Sequence, residues 1–116
     1  DTTVVSGHGS TSGETNFTST DKLYLLAPKE IYTDFSDSDD TARDLTRALD
    51  YYTNIGVTTS SYSGAIKKNG TNAAWWWLRS AYSSYNSNFY SVYYYGSWDN
   101  DTASTTIGVS PAFRIG

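Results

Sequence analysis

Side chains able to carry out chemistry are few in this chain, and most lack the companions that their chemistry needs. The single histidine, His8, lies in Ser6-Gly7-His8-Gly9-Ser10. That glycine-rich stretch gives a general base no rigid frame, and a base must be held within hydrogen-bond reach of its target. A Ser/His/Asp hydrolase is therefore not expected. Cysteine is absent, which removes disulfides, thiolate zinc sites and thiol nucleophiles. Asp37-Ser38-Asp39-Asp40 has the carboxylate density of a calcium loop but neither the glycine nor the distal glutamate of an EF-hand. Capping of a following helix is the simpler account, since acceptors and negative charge both suit a helix start. Asp99 and Asp101 stand in an aromatic stretch that could stack sugars, so paired-carboxylate glycoside hydrolysis is the enzymatic alternative that survives. A non-catalytic domain without metal or cofactor is the expectation.

Charge and length narrow the partners. The 116 residues suit one domain, 1–116, and carry a net charge of -4 from 12 acidic and 8 basic residues, the basic ones scattered. Nucleic acid is not an expected partner, because phosphate binding needs a gathered basic surface. No apolar run approaches the ~20 residues of a membrane span, so no membrane insertion is expected. Methionine is absent, and the expectation is an excised or processed piece of a longer protein. Aromatics make up 16%, with 11 Tyr and 4 Trp, while charged residues are 17%, below the usual quarter or so.

The elements that must position these side chains are short. Residues 1–20, rich in Gly, Ser and Thr, read as a mobile or edge segment. Residues 22–27, Lys-Leu-Tyr-Leu-Leu-Ala, read as a short buried strand ended by Pro28, which suits the first position of a helical turn over residues 28–32. Leu45, Ala48, Leu49 and Tyr52 recur at helical spacing and predict a helix over residues 41–52. Asn69-Gly70 marks a turn. Residues 75–80 read as a strand in which Trp75 and Trp77 share one face and Trp76 and Leu78 the other. Arg79 at its end is an ion-pair or hydrogen-bond anchor, since a guanidinium satisfies several carbonyls in one fork.

Residues 82–107 have the most unusual composition: 26 residues with 6 Tyr, 6 Ser, 3 Asn, 3 Thr and 2 Asp, and no Lys, Arg, Glu, Gln or Met. Exposed loops ordinarily use Lys and Glu freely. Tyr supplies stiff, amphipathic contact area at low entropy cost while Ser and Asn supply adaptable hydrogen bonds, as in antibody paratopes. A Tyr-rich sheet face is the structural alternative, since Tyr and Thr favour strands. Phe89, Val92 and Trp98 supply apolar anchors that a disordered tract lacks.

Trp76-Trp77-Leu78-Arg79-Ser80, Ser87-Asn88-Phe89, Val92, Gly96-Ser97-Trp98, Ala103 and Gly108-Val109-Ser110-Pro111-Ala112-Phe113-Arg114-Ile115 together resemble the C-terminal half of the C-type-lectin-fold variable proteins of diversity-generating retroelements, found in gut bacteria and their phages. Residues 22–32 extend the resemblance upstream. In that family reverse transcription randomises adenines, mostly in AAY-type codons, within a C-terminal variable region. Such codons can become Tyr, Ser, Asn, Asp, Thr, Phe or Ile, but never Lys, Glu, Gln, Met or Trp. Residues 82–107 obey that filter except at Trp98, where the family keeps a scaffold Trp.

The resemblance implies an α+β, C-type-lectin-like fold with short twisted antiparallel strands, one or two helices and much irregular loop. The resemblance also implies that the front of the family domain is missing, with the expectation that a second chain supplies it or that the chain forms a homo-oligomer. It implies a receptor-binding role outside the cell, on a bacterial surface or phage particle, with a protein or glycan of a target cell as partner. Phe89, Val92, Gly96, Trp98, Ala103, Gly108, Pro111 and Phe113 match scaffold positions. Tyr85, Asn86, Ser87, Ser91, Tyr93, Tyr94, Tyr95, Ser97, Asp99, Asn100, Asp101, Thr102, Ser104 and Thr105 fall where the family varies and are the candidate contacts. An inward Val92 would also turn Tyr90 and Tyr94 inward, unless a bulge intervenes. The alternative is a calcium-dependent lectin, because Trp98-Asp99-Asn100 spells an element of sugar-binding C-type lectins. Its companion Glu-Pro-Asn or Gln-Pro-Asp is absent, and two oxygen side chains fall short of the roughly six to eight ligands calcium takes.

Overall fold

In the computed structural model, which describes residues 1–115, the Thr- and Val-rich start forms a hairpin of β1 (Thr2–Ser6) and β2 (Phe17–Asp21), in register from Thr2↔Asp21 to Ser6↔Phe17. Alternation buries Thr2 and Val4 and exposes Thr3. Residues 22–27 do not form the expected strand. They run extended with one bridge, Tyr24↔Ala112, burying Leu26 and Ala27 and exposing Leu23. Helix α1 (Pro28–Ile31) follows as a single turn with Pro at its start, and the Glu30 carboxylate accepts the Ala27 N–H at 3.0 Å.

The helix expected over residues 41–52 breaks into two pieces. Arg43–Leu45 is one 3-10 turn, closed by the Leu45 N–H on the Ala42 carbonyl, and Thr46 then turns extended (φ -125, ψ 135). Only residues from α2 (Asp50–Asn54) are α-helical. The Leu49 N–H is given to the Glu30 carbonyl at 2.9 Å, a partner 19 positions back, instead of to a local turn. Leu45 is exposed while Tyr52 is buried with Leu49 packed against the same cluster, so the four helically spaced residues do not share one face. Nor does Asp40 cap a helix end in the open: it is wholly buried, its Oδ1 accepting the Ala42 N–H at 3.1 Å.

After a 3-10 turn at Ser63–Ala65, β3 (Lys67–Asn69) and β4 (Asn72–Ala74) make a second hairpin, with Gly70 at φ +68 in its turn. The third sheet, in the order β5-β6-β7, is built from β5 (Trp76–Ala81), β6 (Asn88–Val92) and β7 (Trp98–Thr102), all antiparallel, with a register shift between Trp77 and Ala81. The expected alternation along β5 holds: Trp76, Leu78 and Ser80 are buried, and Trp77, Arg79 and Ala81 are half-buried on the other face. Leu78, Tyr90 and Val92 join Trp76 against Leu26, Ile31, Tyr32, Phe35, Tyr52, Val57 and Ala65. Burying each such aliphatic side chain contributes about 1.5–3 kcal/mol.

Among the described residues, two helices of four and five residues and two 3-10 turns stand against seven strands in three small sheets. The expected α+β, C-type-lectin-like fold is therefore corrected to a mostly β arrangement. The difference traces to residues 41–52, where tertiary hydrogen bonds replaced the local ladder.

The free side of β5 is covered piecemeal. Its Trp77, Arg79 and Ala81 N–H groups bond to the carbonyls of Gly108, Leu26 and Gly7 at 3.0, 2.9 and 3.1 Å. Arg79 fixes this seam in the anchoring role expected of it: Nε donates to the Val5 carbonyl at 2.9 Å, and Nη1 donates to the Leu25 carbonyl and pairs with the buried Glu30 carboxylate. One guanidinium thus ties β1, the 22–27 segment and α1 to β5.

Candidate functional site

The β6–β7 connection carries three consecutive tyrosines, and its backbone is pinned from below. The Tyr93 N–H donates to the Ser97 carbonyl and the Gly96 N–H to the Tyr93 carbonyl, both at 2.8 Å. Gly96 sits at φ +98, where a glycine is favoured, and its carbonyl accepts the buried Tyr32 hydroxyl at 2.5 Å. A Cβ there would lie 2.1 Å from the Tyr62 carbonyl oxygen, so the turn rests directly on a neighbouring backbone.

Above this base the rings form a ladder. Tyr93 meets Trp75 edge-on at 4.7 Å, Tyr94 lies 4.1 Å from Tyr93, and Tyr95 lies 4.4 Å from Tyr94. Exposure rises outward: Tyr93 is half-buried, Tyr94 36% and Tyr95 61% exposed. Tyr90 and Val92 both point inward, as alternation requires, but β6 ends at Val92 and the turn releases Tyr94 from that pattern. Trp75, absent from the candidate contacts, is the ring that backs the ladder, and its buried Nε1–H has no hydrogen-bond partner among the described residues. The Trp75/Trp77 face of the triple-Trp pattern was the signal for it.

The other candidates divide by register. Trp77↔Ser91↔Asp99 is one cross-strand row, and Phe89↔Asp101 lies two residues along on the same face. Ser91 is fully buried in that row, so its hydroxyl meets Asp101 at 3.5 Å instead of solvent. Asp99 and Asp101 are partly exposed, and the Asp101 pKa is raised, chiefly by burial and then by the Asp99 charge. Two of the three side-chain oxygens of Asp99-Asn100 are engaged within the sheet: Asp99 Oδ1 accepts the Asn100 N–H and Asn100 Oδ1 accepts the Asn88 amide, both at 2.8 Å. Among the described residues no three His, Cys, Asp or Glu side chains converge as a metal site would require.

At the opposite end of the sheet Tyr85, Asn86, Ser87, Thr102 and Ser104 are exposed and Thr105 half-buried, joined by the Ala103 N–H on the Ser87 carbonyl at 2.8 Å. β6 separates this group from Tyr93–Tyr95 and the half-buried Ser97 by five residues, about 16 Å of strand. The candidates therefore occupy two ends of one sheet and one strip between them. Of the scaffold matches, Val92, Gly96 and Gly108 are enclosed or closely approached, a Cβ on Gly108 falling 2.8 Å from the Trp75 carbonyl oxygen. Phe89, Ala103, Pro111 and Phe113 are exposed, Phe113 by 62%. Phe89 and Ala103 line a shallow hollow of about 200 Å³ with Leu25, Trp77 and Leu78.

His8 Nδ1 lies 2.5 Å from the Gly9 carbonyl, and the His8 backbone N–H donates to Thr41 Oγ1, so these contacts help to fold the loop. No curated protein and no solved structure matches the chain. One family model matches residues 1–116, and the chain belongs to that family, the domain of unknown function DUF6273.

Proposed function

We propose that this chain is a non-catalytic binding domain that contacts a partner through the ends of its β5-β6-β7 sheet, above all through the tip at Tyr93–Tyr95. The carrying observation is the tip itself: a row of tyrosines that starts edge-on against Trp75 and ends in the exposed Tyr94 and Tyr95, above a turn held by the Tyr32 hydroxyl and resting on the Tyr62 carbonyl. Stiff aromatic side chains on a fixed backbone lose little entropy on binding, which is how aromatic-rich recognition surfaces gain affinity.

The composition of residues 82–107 supports a narrower reading, a diversified receptor-binding surface of the retroelement variable-protein type. Exposed positions such as Tyr85, Asn86, Ser87, Tyr95, Thr102 and Ser104 all carry residues that adenine-limited codons can supply. The partner would be a protein or glycan of a target cell, met outside the producing cell on a bacterial surface or phage particle.

Two measurements test this. A Tyr94→Ser/Tyr95→Ser variant should lose binding to the glycan or cell-surface panel that the parent binds while keeping the parent's unfolding midpoint; a variant that binds equally well removes the tip from the interface. Sequencing beside the gene should find a reverse transcriptase and a near-copy of the segment encoding residues 82–107 that differs only at adenines. Its absence would leave a binding tip but end the diversification reading.

A further inference from the structure

A second aromatic feature lies on the core side of the same sheet, where Phe35, Tyr82 and Trp98 surround an open hollow of about 460 Å³, edged by Asp37 and Thr59. Phe35 and Trp98 meet edge-to-face at 5.5 Å, and Tyr90 floors the group at 5.6, 5.3 and 5.8 Å from Phe35, Tyr82 and Trp98. Asp37 is held facing this group: Oδ2 accepts the Tyr90 hydroxyl at 2.9 Å and Oδ1 the Asp39 N–H at 3.2 Å, which leaves each oxygen a lone pair.

The acids here have no cationic partner. The ion pairs among the described residues are Arg43–Asp44, Arg47–Asp50 and Arg79–Glu30, none involving Asp34, Asp37 or Asp39. Lys29, the cation near Asp34, spends its ammonium on the Thr33 and Phe35 carbonyls. Aromatic faces beside an unpaired carboxylate attract a cation twice, through the ring quadrupoles and through charge. Anions are repelled, and a neutral sugar would stack but leave the carboxylate uncompensated.

We propose that this hollow takes the guanidinium of an arginine presented by a protein partner. A flat guanidinium can stack on a ring and hydrogen-bond a carboxylate in one pose, which a compact ammonium cannot. A protein is the source because the ring surface continues outward: Tyr85 stacks on Tyr82 at 5.5 Å and is 60% exposed, giving more contact area than a small cation needs. The site uses residues other than Tyr93–Tyr95 and does not depend on them.

The test titrates the intact chain with Nα-acetylarginine methylamide, following the Trp98 indole and Phe35 amide signals by NMR. Its neutral near-isostere, Nα-acetylcitrulline methylamide, and choline serve as comparisons. The arginine compound should give saturable shifts at these signals, weakened by salt, with the citrulline compound at least about fivefold weaker. Asp37→Asn, and separately Tyr82→Leu, should each weaken the arginine compound by at least about fivefold, the second variant covering any loss of folding in the first. Absence of saturation, equal binding of the citrulline compound, or choline binding more tightly than the arginine compound would each overturn the proposal. None of these outcomes bears on the tyrosine tip, whose own variants leave this hollow intact.

Discussion

Replacing Gly96 by alanine tests whether the tyrosine tip is as tightly seated as its contacts imply. Two costs add at this position. An L-residue at φ +98 carries about 1–2 kcal/mol of backbone strain. The new Cβ would also meet the Tyr62 carbonyl oxygen at 2.1 Å and Ile66 Cγ1 at 3.2 Å, and the first of these is backbone and cannot swing aside. Relief requires the turn to lift, which separates the Gly96 carbonyl from the buried Tyr32 hydroxyl and leaves a polar group unpaired, a further ~1–3 kcal/mol. The sum is about 2–5 kcal/mol. Gly70→Ala is the internal control, because Gly70 sits at φ +68 with nothing within 4 Å and incurs the strain alone. Urea unfolding of both variants should therefore show Gly96→Ala losing about 1–3 kcal/mol more than Gly70→Ala. Near-ultraviolet circular dichroism should change for Gly96→Ala and stay constant for Gly70→Ala, since only the first disturbs the Trp75–Tyr95 ring ladder. Equal losses in the two variants would refute the seating of the tip on Tyr62.

Two further predictions concern the buried charges. Arg79→Met should destabilise by about 3–5 kcal/mol in urea unfolding, because it strands the Glu30 carboxylate, and adding Glu30→Gln should recover part of that loss; strictly additive losses would show that the pair is uncoupled. Burial raises the Asp40 pKa, against the opposing charges of Arg79 and Arg43. A group whose folded pKa is raised gives its full stabilisation below the unfolded carboxylate range and loses it as pH climbs through the folded value. The stability of the parent relative to Asp40→Asn should thus fall as pH rises above about 4, and a difference constant with pH would contradict the assignment.

What could be read from the sequence was what short-range physics decides. Trp76 and Leu78 face the core because a strand alternates, Pro28 opens a helical turn because its φ is fixed, and Arg79 anchors carbonyls because its donors form a fork. The helix over residues 41–52 was not legible as two pieces, since the partner that takes the Leu49 N–H is Glu30 and nothing near Leu49 announces it. Asp40 resembled a cap for the same reason: its burial beside Gly7, where a Cβ would stand 2.8 Å from Oδ1, depends on β1 lying across it. Within the candidate surface, residue types were legible and faces were not. Ser91 and Asp99 are cross-strand partners, yet one is buried and the other partly exposed, an outcome set by the strand order and the irregularity between Trp77 and Ala81.

The way the two sheet ends are fastened bears on whether such a surface could tolerate exchange of its side chains. At the tyrosine tip the fixed contacts are the Tyr93–Ser97, Gly96–Tyr93 and Tyr32–Gly96 hydrogen bonds, and each uses a backbone group of the turn. At the far end the Ala103–Ser87, Tyr82–Asn88 and Thr105–Thr102 bonds are likewise backbone to backbone. Side chains at Tyr94, Tyr95, Asn86 or Ser104 can therefore change without removing a group that holds the loop. The core face of β6 is different: Tyr90 packs against Phe35 and Trp98 and hydrogen-bonds Asp37, so its side chain is itself a fastening. A diversified surface needs this division, with backbone and buried rings fixing the frame and outward side chains left free. The same division explains why residues 82–107 can be so unusual in composition within an ordered sheet. On the binding proposal, selection for folding acts on the few side chains that point inward, and selection for a partner would act on the rest.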